Sequence, residues 1–397
     1  MRVLLTSLTV YSHMLPMVPL ARALQSAGHQ VAVATGPALA DDLDGLGLPI
    51  LPLPRALSPT EMASDPAFAR NIGLGLDGVP LPELNMMEPG AAIGRLFAGL
   101  TAVRAAEDML AAVSGFGPDL VVRECTEFGG YLLADKIGVP CVTLDASPLV
   151  PIRHPGLLPR LNESRVTLGL SPVNDTSALT RDPWVSWLPE SWYPAELRTA
   201  AHRYYRAPGE PTETLDPGIA GLPADQPFVL ATLGSLTGHM VSPETSPLPR
   251  IVEALGTLPC TAVVALGRDA DPADWKGPRP GNVHLASFVQ QRLLLPACDL
   301  FLTHAGFGGV REALSAGVPM VALPLYADQP ANAQRLAELG VGVVLRRDEA
   351  DATALAVACR QVLHDPMYRL AARGYQRRIL SLPGTDRLVA DLTTLAG

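Results

Sequence analysis

Residues 288–332 constrain the fold more than any other part of the chain: FVQQRLLLPACDLFLTHAGFGGVREALSAGVPMVALPLYADQPAN. The apolar run 300–302 ends at Thr303 and His304. It then passes a turn with Ala305, Gly306, Gly308 and Gly309 and enters a stretch of helical spacing that carries Glu312. That order is a strand, a glycine turn and a helix N-terminus, as in a parallel sheet. Glycines let backbone N–H groups approach a ligand. The helix start adds unsatisfied donors and a partial positive charge, so the turn suits a phosphate. Glu312 lies about one helical turn further on, where a carboxylate can accept both hydroxyls of a ribose. A second strand, 320–323, leads to Asp328 and Gln329, which can bond to the hydroxyls of a sugar. Candidate partners for ribose, diphosphate and sugar thus share one segment.

The same alternation starts at the N-terminus. Apolar runs at 3–6, 31–34, 120–123 and 141–144 are separated by helix-like stretches such as 16–27, and the pattern restarts at 228–232. A chain of 397 residues is long for one domain, and 48% hydrophobic against 17% charged residues suffices for two cores. Residues 208–227, rich in Pro, Gly, Asp and Glu without periodicity, read as a linker. The expectation is an α/β chain of two doubly wound parallel-sheet domains, 1–207 and 228–380, with 381–397 as a final helix. Ligands of such sheets bind beyond the carboxyl ends of the strands. Two looser stretches interrupt the first half. In 53–118, Met86, Met87 and Phe97 either line an apolar pocket or pack as helix core. In 148–200, Trp184, Trp187, Trp192 and Tyr193 either cap a site or staple a loop to its domain.

The segment 288–332 resembles the donor-binding signature of family 1 nucleotide-sugar-dependent glycosyltransferases, which have two Rossmann-like domains (the GT-B fold). The bacterial macrolide, enediyne and polyketide glycosyltransferases are members. The resemblance implies that Phe288, Val289 and Gln291 hold the base. His304, Ala305, Gly306, Gly308 and Gly309 then hold the diphosphate, Glu312 the ribose, and Asp328 with Gln329 the sugar. Gln290 stands where the family often has Pro. The turn 233–238 restarts the second half and faces the diphosphate in this family, which makes Ser235 and Thr237 donor contacts. The final helix crosses back onto the first domain. The segment Thr9-Val10-Tyr11-Ser12-His13-Met14-Leu15-Pro16 resembles the family's Gly-His-x-x-Pro, whose His is the general base. An unperturbed imidazole titrates at about 6.5, which suits proton abstraction near neutral pH. Tyr11 and Met14 beside His13 become acceptor contacts. The family pairs its base with an Asp after the fourth strand. In Pro118-Asp119-Leu120-Val121-Val122-Arg123-Glu124, Glu124 takes that place, and a local pair between Glu124 and Arg123 is the alternative. Glu127 is a second candidate.

Other patterns narrow the function by exclusion. The net charge of −9 argues against a nucleic-acid partner. No basic leader precedes an apolar stretch and no run approaches 18 apolar residues, so a cytoplasmic protein without a membrane partner is expected. Five scattered cysteines read as reduced core thiols. Residues 73–78 match a dinucleotide fingerprint, but no strand precedes them. The spacings Asp42-x-Asp44 and Asp269-x-Asp271 lie in polar or loop segments, and His29, His154, His202, His284 and His364 lack spaced partners. No metal site or cofactor is expected.

Two Lys against 28 Arg suggest a GC-rich bacterial source. The resemblance then implies an inverting transfer of a deoxysugar from a TDP- or UDP-sugar to a hydroxyl of an apolar natural product. Alternatives are an antibiotic-inactivating transferase, a nucleotide-sugar 2-epimerase of the same fold, and a catalytically silent homologue. A homodimer is left open.

Overall fold

The computed structural model describes residues 1–44, 47–58, 61–62, 65, 94, 97–147, 156–207, 214–234, 245–268 and 270–397. They form two compact units, Met1–Gly209 with Leu382–Gly397, and Glu210–Ser381. The first contains one sheet ordered β3-β2-β1-β4-β5-β6-β7. Its described strands are β1 (Arg2–Thr6), β2 (Gln30–Thr35), β3 (Ile50–Pro52), β4 (Leu120–Glu124), β5 (Cys141–Leu144), β6 (Trp184–Ser186) and β7 (His202–Tyr204). The second sheet is ordered β10-β9-β8-β11-β12-β13. It comprises β8 (Phe228–Thr232), β9 (Thr261–Ala265), β10 (Val283–Ala286), β11 (Leu300–Thr303), β12 (Met320–Ala322) and β13 (Gly342–Val344). Every pairing in both sheets is parallel. Each unit is therefore a doubly wound, Rossmann-like sheet. The strand order reverses between β1 and β4 in the first and between β8 and β11 in the second, and ligands bind such sheets at that point.

Parallel strands are covered on both faces, so their sequences are unbroken Val, Leu and Ala runs. In β1, Val3 and Leu5 join the buried cluster of Val18, Leu20 and Leu24. Leu4 points the other way, to Met109 and Leu132. The helix Thr385–Ala396 packs against the helix Val18–Ser26 and adds Leu388, Val389 and Leu392 to the first cluster. The Tyr205 hydroxyl donates to Asp391 at 2.7 Å, which ties this last helix to the first unit a second time. In the second unit, Ile251, Val252 and Leu255 pack with Leu355, Cys359 and Val362 over one face of the sheet.

The aromatic stretch is core. Trp184, Trp187, Trp192 and Tyr193 are all buried. Asp145, just beyond β5, is fully buried and accepts hydrogen bonds from the Trp184 indole and the Tyr193 hydroxyl. Burial pushes its carboxyl up to about 6, with those bonds opposing the shift. All five cysteines are buried and free. Among the described residues no helix is long and apolar enough to cross a membrane. Met86, Met87, Ser235 and Thr237 lie outside the described residues, as do residues 73–78, His154, the linker segment 208–213 and Asp269.

Candidate active site

In the first unit the reversal of strand order brings the chain leaving β1 beside the end of β4, where Thr6 pairs with Arg123. His13 sits in the short helix Tyr11–Met14 that follows β1. Its Nδ1 is 3.2 Å from Glu124 Oε1, and the Glu124 side chain is fully buried. Thr126 holds the carboxylate from the other side. Its hydroxyl donates to Oε1 at 2.6 Å and its backbone N–H to Oε2 at 2.8 Å. The same hydroxyl oxygen is 3.3 Å from His13 Nδ1. Because that hydroxyl has given its proton to Glu124, the two oxygens facing Nδ1 are acceptors. A proton on Nδ1 satisfies both, which leaves the lone pair on Nε2. Burial raises the Glu124 carboxyl, but the His13 ring and the Thr126 bonds outweigh it and leave the group below its ordinary value. A buried carboxylate that stays ionised beside an imidazole favours the imidazolium.

The neighbours of Glu124 have other partners. Arg123 precedes it in the strand and so points to the opposite face, where its guanidinium donates to the carbonyls of Glu124, Cys125 and Glu127. The Glu127 carboxylate accepts from the Thr6 hydroxyl at 2.5 Å and from Gly130 N–H at 2.8 Å, capping the helix Gly129–Ile137. Burial raises its carboxyl. Thr126 carried no sequence signal beyond its place two residues after Glu124. Of the residues expected to meet an acceptor, Met14 is fully buried in the core, because a short helix laid on the sheet must turn one side inward. Leu15 beside it is 40% exposed. Tyr11 is partly buried against the same core, and Phe97 packs on the opposite cluster.

In the second unit the equivalent reversal places the turn after β8 beside the turn after β11. Both are built alike. The Thr232 hydroxyl accepts from Gly234 N–H at 3.1 Å, and the Thr303 hydroxyl accepts from Ala305 N–H at 3.2 Å. Each bond curls the chain into left-handed backbone, at φ 81° for Gly234 and 63° for Ala305. The His304 ring lies between the two turns. A Cβ on Gly234 would stand 2.6 Å from its Cε1, and one on Gly306 would stand 2.4 Å from its Nε2, so only glycine fits. His304 Nδ1 is enclosed without a hydrogen-bond partner among the described residues. Burial pushes the ring down to about 4, and a bond to the Thr232 backbone offsets only part of this. His304 is thus neutral near pH 7.

Gly306 begins the helix Phe307–Ala316, whose N-terminus has no side-chain cap and no acid in its first turn. A Cβ at Gly308 would meet nothing within 4 Å, so that edge of the turn is open. Gln291 Nε2 donates to Glu312 Oε2 at 2.6 Å, with Arg311 3.5 Å from the other oxygen. Phe288 is 50% exposed beyond β10 and carries the Arg268 guanidinium 4.6 Å above its ring, while Val289 is buried beneath. Gln329 is buried and its Oε1 accepts from Leu325 and Tyr326 N–H, at 2.8 and 3.1 Å, closing the loop after β12. Asp328 begins the helix Gln329–Glu338, and its Oδ2 accepts from Asn332. Ala305 and Ala327 are the only described non-glycine residues with positive φ, and each conformation costs about 1–3 kcal/mol. Such strain, one residue beyond His304 and one before Asp328, is where a ligand site would put it. Among the described residues no three His, Cys, Asp or Glu side chains gather as a metal-holding group.

Comparison with known proteins shows the family and the fold. The chain is 32% identical to the L-demethylnoviosyl transferase of Streptomyces niveus over 393 residues, covering 94% of this chain and 92% of that protein. The chain belongs to the GT-B natural-product glycosyltransferases. Residues 250–395 match the C-terminal domain described as erythromycin biosynthesis protein CIII-like. The tylactone mycaminosyltransferase of Streptomyces fradiae is 28% identical, with 100% of this chain and 92% of that protein covered. The fold is that of the glycosyltransferase SnogD from Streptomyces nogalater, at a TM-score of 0.77 and 24% identity, covering 100% and 99% of the two chains. Glycosyltransferase VinC, solved with dTDP, superposes with a TM-score of 0.77 at 23% identity over 100% and 99% of the chains. As in other glycosyltransferases of this class, a glycosyl group is the cargo and a small molecule receives it.

Proposed function

We propose that this enzyme transfers a deoxysugar, with inversion, from a thymidine or uridine diphosphate to a hydroxyl of an apolar natural product, in antibiotic biosynthesis. His13 Nε2 takes the acceptor proton as the hydroxyl oxygen bonds to the anomeric carbon and the bond from that carbon to the diphosphate breaks. Glu124, held by Thr126, steadies the imidazolium that forms. The uncapped helix N-terminus, the glycine turn and neutral His304 stabilise the departing diphosphate. Glu312 and Gln291 take the ribose, Phe288 the base, and Asp328 with the Gln329 amide the sugar. Leu15, Tyr11 and Phe97 contribute apolar surface to the acceptor. The relatives' names support a deoxysugar, since they include mycaminosyl- and rhodosaminyltransferases. Two structural neighbours carrying dTDP or thymidine diphosphate support the nucleotide.

The observation that carries the reading is the 3.2 Å contact between His13 Nδ1 and a buried, ionised Glu124. It supports an oxygen acceptor that must lose a proton and speaks against the 2-epimerase, which needs no acceptor base. The test is transfer from an α-linked TDP-sugar to a panel of polyketide alcohols, with the new linkage read by NMR and EDTA added in parallel. A β-linked product formed equally well with EDTA is expected. An α-linked product would remove the inverting mechanism, and loss of turnover restored by Mg²⁺ would remove the metal-free phosphate site.

A further inference from the structure

Asn332, on the first turn of the helix Gln329–Glu338, is fully buried. Its Nδ2 donates to the Ala305 carbonyl at 3.0 Å and to Asp328 Oδ2 at 2.7 Å. Its Oδ1 is enclosed with no hydrogen-bond partner among the described residues. A buried acceptor left unmade is a cost that an apolar residue of similar size would avoid, so stability alone does not explain an amide here. What the amide provides is two coplanar donors on one nitrogen, and here they join two different turns. One acceptor belongs to Ala305, the left-handed residue between His304 and Gly306. The other is the carboxylate that follows left-handed Ala327. The turns leave the adjacent strands β11 and β12, and Asn332 is bonded to both.

We propose that Asn332 is a positioning residue for the donor. It fixes the Asp328 carboxylate against the His304–Gly306 turn, so that sugar and diphosphate are held at one set spacing. The inference rests on the reading that Asp328 meets the sugar and the turn meets the diphosphate. Being wholly buried, Asn332 touches neither. The bond to Oδ2 restrains the rotation of the carboxylate. A nucleoside diphosphate needs only the turn, whereas a nucleotide sugar needs turn and carboxylate together. Disturbing Asn332 therefore separates two affinities that a general loss of structure would lower alike.

The experiment is calorimetric titration of the full chain with TDP and with TDP-glucose, at several pH values, for wild type, Asn332→Asp, Asn332→Ala and Asp328→Ala. Asn332→Asp keeps the shape but turns a carboxylate toward Asp328. At alkaline pH its preference for TDP-glucose over TDP should fall about tenfold, the loss of one hydrogen bond to a charged group. Toward acid pH the protonated side chain can donate one hydrogen bond again, to Asp328, so the preference should recover in part in Asn332→Asp but not in Asn332→Ala. Wild-type preference in both Asn332 variants, at an unchanged melting temperature, would overturn the inference while leaving the donor reading intact. Failure of both variants to fold would make Asn332 a structural residue and overturn it equally. An unchanged preference in Asp328→Ala would remove the donor reading and the inference with it.

Discussion

Two histidines stand beyond the carboxyl ends of parallel strands at the reversal of strand order, one in each unit, and their neighbours give them opposite chemistry. His13 has a buried carboxylate 3.2 Å from Nδ1, kept below its ordinary range by the ring and by the Thr126 bonds. His304 has no carboxylate bonded to it among the described residues. It is wedged between Gly234 and Gly306, its Nδ1 is sealed off, and burial takes the ring down to about 4. The first environment favours a positive ring and the second suppresses one. A base must accept a proton and hold it through the reaction. A ring packed beside a diphosphate turn should not titrate as the leaving group gathers charge. Residue type and topological position are shared, so the difference comes from what each fold places beside the ring.

The strongest attempt to break this comparison is to delete the ring that should do chemistry. His13→Ala should lower kcat by about 10²–10⁴ while TDP affinity is unchanged, because the residue acts on the acceptor proton. Loss of TDP binding in the same variant would merge the two roles. A smaller effect is expected on the donor side. Glu312→Ala should weaken TDP and UDP binding by roughly 1.5–3 kcal/mol, as for bonds to a charged group, with calorimetry as the readout. Equal affinity for both nucleotides before and after would take Glu312 out of the site.

The smallest effect sharpens the claim that His13 and Thr126 together outweigh burial at Glu124. Asp145, beyond the neighbouring strand, is equally buried but has only neutral donors, and its carboxyl is raised to about 6. A raised acid stabilises the fold below its unfolded value, and that contribution is lost as pH rises through about 6. Between about pH 4 and 6, thermal stability should therefore fall with rising pH. Asp145→Asn should flatten this trend and gain on the order of 1 kcal/mol at neutral pH. Glu124→Gln should do the reverse, losing stability above the ordinary carboxylate range. Parallel behaviour of the two variants would show that burial alone governs both groups.

Much of this was legible in the sequence. Parallel strands buried on both faces write themselves as unbroken apolar runs, and the donor segment is local, so the 288–332 stretch carried its fold within it. The approach of His13 to Glu124 was not local. Only the family resemblance joined two residues on separate strands, and a Glu in place of Asp left a local partner, Arg123, open until the alternation of the strand turned that side chain away. Thr126 and Asn332 were missed because each works through hydrogen bonds to backbone and to another side chain, which leave no periodic mark. The burial of Met14 was not legible for a related reason. In a four-residue helix, sequence cannot tell which side faces the sheet. The four aromatics of 184–193 could be read as lid or staple until Asp145 was seen to receive two of them.

The central claim is that a buried carboxylate makes His13 Nε2 the base. It is tested by turnover of an alkyl alcohol and a phenol, from about pH 5 to about pH 9, in wild type, Glu124→Gln and His13→Ala. A phenol needs little help to lose its proton and an alkyl alcohol needs much. The wild-type rate on the alcohol should fall at acid pH as the imidazole is protonated. The ratio of alcohol to phenol turnover should drop in Glu124→Gln and drop further in His13→Ala. Alkyl alcohol turnover by His13→Ala at the wild-type rate would contradict the account.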